Sequence, residues 1–128
     1  MALALPGVDE GRRYGQPTWE VGGKAFAWMR PFSKADLKRF GDESPPGGPI
    51  LAVRVEDLGE KEAVLAAASP GFFTISHFDA YPAVLVQLDA ADGEAVREAL
   101  VDGWLACAPA KLAEQYLQRP EGSTGQQV

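Results

Sequence analysis

The stretch TWEVGGKAFAWMR, residues 18–30, decides the fold class. Two runs rich in apolar and aromatic residues flank Gly22-Gly23, a two-residue turn that accepts positive φ. The spacing predicts a β-hairpin. In its second arm, simple alternation puts Phe26 and Trp28 on one face with Lys24 and Arg30 at the ends. Ala25, Ala27 and Met29 then take the other face.

Working outward, PFSKADLKRFGD (31–42) reads as a short capped helix. Ser33 is placed as the N-cap and Asp36 stands three residues on, near the positive end of the helix dipole. Phe32 and Leu37 have the spacing of a hydrophobic staple, and Gly41 is placed to end the helix. Lys34 and Lys38 share a face, with Arg39 beside them. ESPPGGP (43–49) is a loop, and ILAVRV (50–55) a strand with Leu51, Val53 and Val55 on one face. DLGEKEAVLAAAS (57–69) predicts a helix with Asp57 as N-cap. GFFTIS (71–76) and AVLVQLD (83–89) predict two antiparallel strands joined by HFDAYP. In residues 91–108, Val96, Leu100, Trp104 and Cys107 recur at helical spacing. Pro109 suits the first turn of a further helix, and QRPEGSTGQQV reads as a disordered tail.

Strands linked by tight turns imply an α+β domain: an antiparallel sheet with helices packed on one face. Parallel βαβ winding is the weaker alternative. The 128 residues suit a single domain, placed at 1–118, with 119–128 as the tail. No apolar run approaches the ~20 residues that span a bilayer. The opening MALALPGVDEGRR has no basic segment ahead of a long apolar one, which predicts no signal peptide. A lone cysteine allows no internal disulfide. Together these predict a cytoplasmic protein.

Charge is unevenly spread. The net charge is −6, yet residues 1–54 carry eight Lys or Arg against six Asp or Glu, and residues 55–128 carry four against twelve. An anionic partner would meet the N-terminal half.

Most catalytic chemistries lack their parts. Cys107 lies on the apolar stripe of its helix, as inert buried thiols do. One histidine and one cysteine supply no zinc site without two carboxylates from elsewhere. Glu56-Asp57 and Glu60-Glu62 have the spacing of capping and solubility, and no glycine loop has P-loop spacing. No catalytic residue, metal site or cofactor is therefore expected. The basic cluster is the remaining functional signal. Arg12 and Arg13 precede the hairpin, Lys24 decorates it, and Lys34, Lys38 and Arg39 follow, with Tyr14, Trp19 and Trp28 interleaved. Such a set suits low-specificity contact with a nucleic-acid backbone. The alternative is a protein-interaction or small-ligand module, with Trp19, Trp28 and Phe26 lining a groove on the uncovered sheet face.

The single histidine sits in ISHFDAYP. If the preceding strand runs one residue further, His77 joins the face of Phe73 and Ile75 as a corner post. Asp79 is then in reach of a turn-type hydrogen bond, and Tyr81-Pro82 stiffens entry to the next strand.

The series ALALPGVDEG, YGQPTWEVGGKAFA, FFTISHFDAYPAVLVQLD and LVDGWLACAPAKLA resembles the MmcQ/YjbR family over roughly residues 3 to 113. Its most specific parts are Leu5-Pro6-Gly7, Tyr14-Gly15 with Pro17, Gly23-Lys24, and His77 with Asp79, Tyr81 and Pro82. Trp104 followed by Ala108-Pro109 adds to the match. The resemblance implies a frataxin-like (CyaY-like) α+β fold and a DNA-binding role, with no catalytic residues or cofactor. Ala80 and Ala83 stand where the family commonly has glycine and a large aromatic.

Overall fold

The computed structural model describes residues 5–118. Six strands, β1 (Val8–Arg13), β2 (Gln16–Val21), β3 (Lys24–Met29), β4 (Ile50–Arg54), β5 (Phe72–Phe73) and β6 (Ala83–Gln87), form one sheet in the order β1-β2-β3-β4-β6-β5. Every neighbouring pair is antiparallel. Four helices, α1 (Lys34–Phe40), α2 (Leu58–Ala66), α3 (Gly93–Cys107) and α4 (Ala110–Leu117), complete an α+β architecture. Among the described residues no helix is long and apolar enough to cross a membrane. The tail proposed for 119–128 lies outside the described residues.

Two tight turns start the sheet. Gly22 and Gly23 both have positive φ, as the two-residue hairpin requires. Tyr14 (φ 53°) and Gly15 (φ 78°) repeat that geometry one strand earlier. The sequence reading had no strand at Val8–Arg13. The Tyr-Gly pair was its signal, but tyrosine at positive φ is costly and so rarely read as a turn residue.

The hairpin departs from simple alternation. Trp19 pairs with Ala27 and Glu20 with Ala25, so Phe26 is an extra residue on β3, a β-bulge. A bulge turns two successive side chains to the same face. Phe26 and Ala27 are both fully buried against the residues of α3, whereas Trp28 packs with the opposite cluster. The expectation that Phe26 and Trp28 share a face is corrected by this one inserted residue.

The main core lies between the sheet and α3. Val96, Leu100, Trp104 and Cys107, the stripe read from the sequence, pack on Phe26, Leu51, Val53 and Val86. Trp104 donates its indole N–H to the Pro6 carbonyl at 2.8 Å, and its ring lies 5.1 Å from that of Tyr116 on α4. Gly103 lets the helix come this close. A Cβ there would lie 2.9 Å from the Arg54 carbonyl oxygen and 3.0 Å from a Val53 methyl.

The second face is covered in part. Ile50, Ala52, Ala83 and Leu85 pack under Phe78, Phe32, Phe73 and Ile75. β4 and β6 are thus buried on both sides, which explains their unbroken apolar runs. Phe32 reaches this face from the entry to α1 and meets Phe40 at 5.3 Å between ring centroids and Phe73 at 6.1 Å. The predicted staple partner, Leu37, is instead 46% exposed.

Gly103→Ala gains helix propensity but forces α3 off the sheet. Overpacking outweighs the propensity gain here, because the blocking atoms are backbone and a β-branched side chain. The expected cost is about 1–3 kcal/mol in urea unfolding. An unchanged or raised midpoint would count against the close approach.

Candidate functional site

The bulge leaves Trp28 on the floor of a groove of about 680 Å³. Its neighbours on the same face are Thr18 and Ala25, from the paired strand positions. Phe32 and Phe78 form the apolar walls, with Tyr81 at one side, 6.3 Å from Trp28 and edge-on to it. Arg13, Tyr14, Arg30 and His77 stand around it. Among the described residues no Asp or Glu lines the groove, in a chain with eighteen Asp and Glu against twelve Lys and Arg. Tyr14 is fully exposed at the tip of the β1–β2 turn, and Arg12 braces that turn by donating to the Gly15 carbonyl at 2.7 Å.

One wall is the loop between β5 and β6. The strand ends at Phe73, and Ser76–Phe78 form a 3-10 turn closed by Phe78 N–H to the Ile75 carbonyl at 2.9 Å and Asp79 N–H to the Ser76 carbonyl at 3.1 Å. The turn rotates Phe78 into the core and His77 outward. Phe78 is 5% exposed and holds the corner; His77 is exposed. Among the described residues no hydrogen bond joins His77 to Asp79. The corner-post role expected of His77 therefore falls to its neighbour, because the strand does not extend to residue 77.

The loop is tied down from behind. Lys61 of α2 is 5% exposed and donates its ammonium to the carbonyls of Phe78 and Tyr81, the latter at 2.9 Å. Burial pushes its pKa down, and the nearby Asp79 carboxylate partly offsets that. Pro82 accepts from Val55 N–H at 2.9 Å and from the Arg54 guanidinium at 3.2 Å, and that guanidinium lies over the Tyr81 ring. Asp79, Tyr81 and Pro82 lie in the connection between β5 and β6. Lys61 was missed. Its signal was a lysine three and four residues before Val64 and Leu65, inside the apolar stripe of a helix.

The opposite wall is organised by Asp36, whose side chain is 1% exposed. Its carboxylate accepts from Ser33 N–H and from Arg30, both at 2.9 Å, while Asp36 N–H bonds the Ser33 hydroxyl at 3.1 Å. This is a complete capping box at the start of α1. Burial alone raises the carboxyl pKa; the Ser33 and Arg30 hydrogen bonds outweigh it and hold the group below its ordinary 3.8. The Arg30 guanidinium also sits over the Phe78 ring, 5.5 Å from its centroid. Arg30 therefore links the two walls of the groove.

The six basic residues singled out from the sequence do not form one patch. Arg12 and Arg13 end β1 just ahead of the β1–β2 turn, and α1, carrying Lys34, Lys38 and Arg39, begins beside the groove at the same end of the sheet. Lys24 pairs with Val21 at the other end of β2, about 17 Å away along the strand. Arg13 is bound to Glu20 at 2.6 Å, and Arg39 approaches Asp36 at 3.9 Å. Lys34 and Lys38 are exposed. Of the aromatics proposed for a groove, only Trp28 lines it; Trp19 and Phe26 pack on the α3 side.

On the far side of the sheet, Cys107 is buried beneath α3, and burial pushes its thiol pKa up. Among the described residues no three His, Cys, Asp or Glu side chains converge as metal ligands do.

Comparison with known proteins places the chain. The YjbR family model matches residues 3–106. The chain belongs to the YjbR family. It is 44% identical over 102 residues to Uncharacterized protein Rv2570 of Mycobacterium tuberculosis, covering 77% of this chain and 78% of that relative. The same figures hold for Uncharacterized protein Mb2600 of Mycobacterium bovis. No solved structure matches the chain. The matched segment of this YjbR-family protein contains β1 through most of α3, and so every residue that lines the groove.

Two substitutions test the walls. Asp36 has a lower pKa folded than unfolded, so the unfolded chain binds more protons between the two values. Stability supplied above pH 3.8 is lost as the pH falls through the folded value. Asp36→Asn should cost about 1–3 kcal/mol near neutrality, and the gap to wild type should close between about pH 5 and pH 2. A gap that stays constant with pH would contradict this role. Lys61→Met keeps the aliphatic stem but removes two charge-assisted hydrogen bonds, leaving the Phe78 and Tyr81 carbonyls with only the Tyr81 and Ala83 N–H groups, at a cost of about 1–3 kcal/mol. Amide exchange should accelerate first in residues 76–82; uniform acceleration would show that Lys61 does not specifically hold the loop.

Proposed function

We propose that this YjbR-family protein is a non-enzymatic, cytoplasmic nucleic-acid-binding protein, and that its contact surface is the sheet end formed by the β1–β2 turn, the groove and α1. The observation that carries this reading is a groove lined by Arg13 and Arg30 and, among the described residues, by no carboxylate, with the exposed Lys34 and Lys38 on the helix that starts next to its Ser33 wall. The protein as a whole is acidic, so a face where the carboxylates of Glu20 and Asp36 are each matched by an arginine and lysines stand exposed is where a polyanion is repelled least. The cations act by placing phosphates, which gives low sequence specificity and a steep dependence on salt. Lys24 takes no part, since it lies at the opposite end of the hairpin. Arg39 contributes less than Lys34 and Lys38, because it turns toward Asp36.

A second reading, a small-ligand or protein-interaction module, is favoured by the apolar walls of the same groove. It needs binding at the groove without dependence on Lys34 and Lys38.

A salt titration separates them. Fluorescence anisotropy with labelled DNA at about 50 mM salt should show binding that falls by about 10³-fold or more by 200 mM if six phosphates are contacted. Lys34→Ala with Lys38→Ala should weaken it and flatten the salt slope by about two. Lys24→Ala should leave it unchanged. No binding to any DNA at low salt, or an effect of Lys24 equal to that of Lys34 and Lys38, would remove the proposal.

A further inference from the structure

Resting on that reading, we infer that the groove holds an unpaired base, so that the ligand is single-stranded rather than duplex nucleic acid. The inference comes from the shape and chemistry of the groove rather than from its charge alone. A duplex keeps its bases stacked and offers a protein its backbone and groove edges. Backbone contact needs only exposed cations and gives no reason for a cavity. Here Arg13 and Arg30 line a hollow of about 680 Å³, within the range of small-molecule sites and large enough for one base with its sugar. Trp28 lies on the floor, and Tyr81, 43% exposed, on one side. Bases extruded from a strand stack on such side chains whatever their identity, since every base has a π-face.

Tyr14 supplies an independent observation. It is completely exposed and held at φ 53°, a conformation that a bulky residue adopts only at a cost. Nothing in the packing of the domain calls for an aromatic ring there, yet it stands beside the groove between Arg13 and the tip of the turn. A second base, next along the strand, can lie on Tyr14 while the first occupies the groove. The phosphates between them then pass Arg13, whose guanidinium has donors left over from its pair with Glu20. Lys34 and Lys38, about 6 Å apart along α1, extend the positive track beyond the reach of a single phosphate. That extension favours a strand over a free nucleotide.

The test uses the full chain and its variants with three probes at about 50 mM salt: a labelled 12-nucleotide single strand of mixed sequence, its duplex, and a free mononucleotide. The single strand is expected to bind at least ten-fold tighter than the duplex or the mononucleotide. Tyr14→Ala, which removes no packing contact, should weaken single-strand binding by about five-fold or more and leave duplex binding unchanged. Trp28→Phe preserves an aromatic floor and should be mild, whereas Trp28→Ala should match or exceed the effect of Tyr14→Ala. If Trp28→Ala fails to fold, Tyr14→Ala and quenching of Trp28 fluorescence by the single strand decide the matter. Duplex binding as tight as single-strand binding, with Tyr14→Ala silent, overturns this inference and leaves backbone binding intact. Mononucleotide binding as tight as the strand's also overturns it, in favour of a nucleotide site. Failure of both polymers to bind overturns the proposed function itself.

Discussion

The seating of α3 on the sheet at Gly103 is the constraint from which the rest follows. With no Cβ in the way, the helix backbone settles against the Arg54 and Phe26 carbonyls and the Val53 side chain. The next residue, Trp104, is thereby fully buried and placed to bond Pro6 and to meet the tilted ring of Tyr116. One helical position thus sets the distance between layers, and the next ties in the chain ahead of β1 and α4. A side chain at 103 would push the whole layer outward, because helix and sheet move as rigid elements.

That close contact also explains the bulge in β3. Phe26 fills the space under α3, and the extra residue allows Ala27 to follow it onto the same side. The strand then resumes its alternation one step out of phase, and Trp28 emerges on the other face. The groove is a product of core packing: the insertion that satisfies one side of the sheet aims a tryptophan at the other. Arg30, two residues on, keeps the same phase and bridges to both walls, through Asp36 on one side and the Phe78 ring on the other.

Much of this was legible in the residues. The Gly22-Gly23 turn, the capped start of α1 at Ser33, the Asp57 cap and the stripe Val96, Leu100, Trp104 and Cys107 all rest on local rules, and local rules carry over to the fold. What was not legible depends on partners distant in sequence. Alternation cannot reveal a bulge, because the signal is the pairing with β2 and not the sequence of β3. The corner of the β5–β6 connection went to Phe78 rather than His77 because a tight turn, not a longer strand, follows Ile75. Basic residues were correctly located in the chain, but adjacency in sequence overstated their adjacency in space. Lys24 is separated from Arg13 by the full length of a strand. The YjbR resemblance was right about kinship and silent about the groove.

Lys61 has a consequence for how the molecule opens. It stands on α2, yet its two acceptors belong to the segment that follows β5. Pulling α2 away from the sheet takes one of two donors from each carbonyl, which keep the Tyr81 and Ala83 N–H groups, and loosening the segment strands a buried ammonium. The cost of leaving that ammonium buried without its acceptors couples the two elements. Helix and connection therefore behave as one cooperative unit in local unfolding, joined by a single side chain across 17 to 20 residues of sequence. The aromatic wall at Phe78 and Tyr81 is thereby tied to the helix behind it.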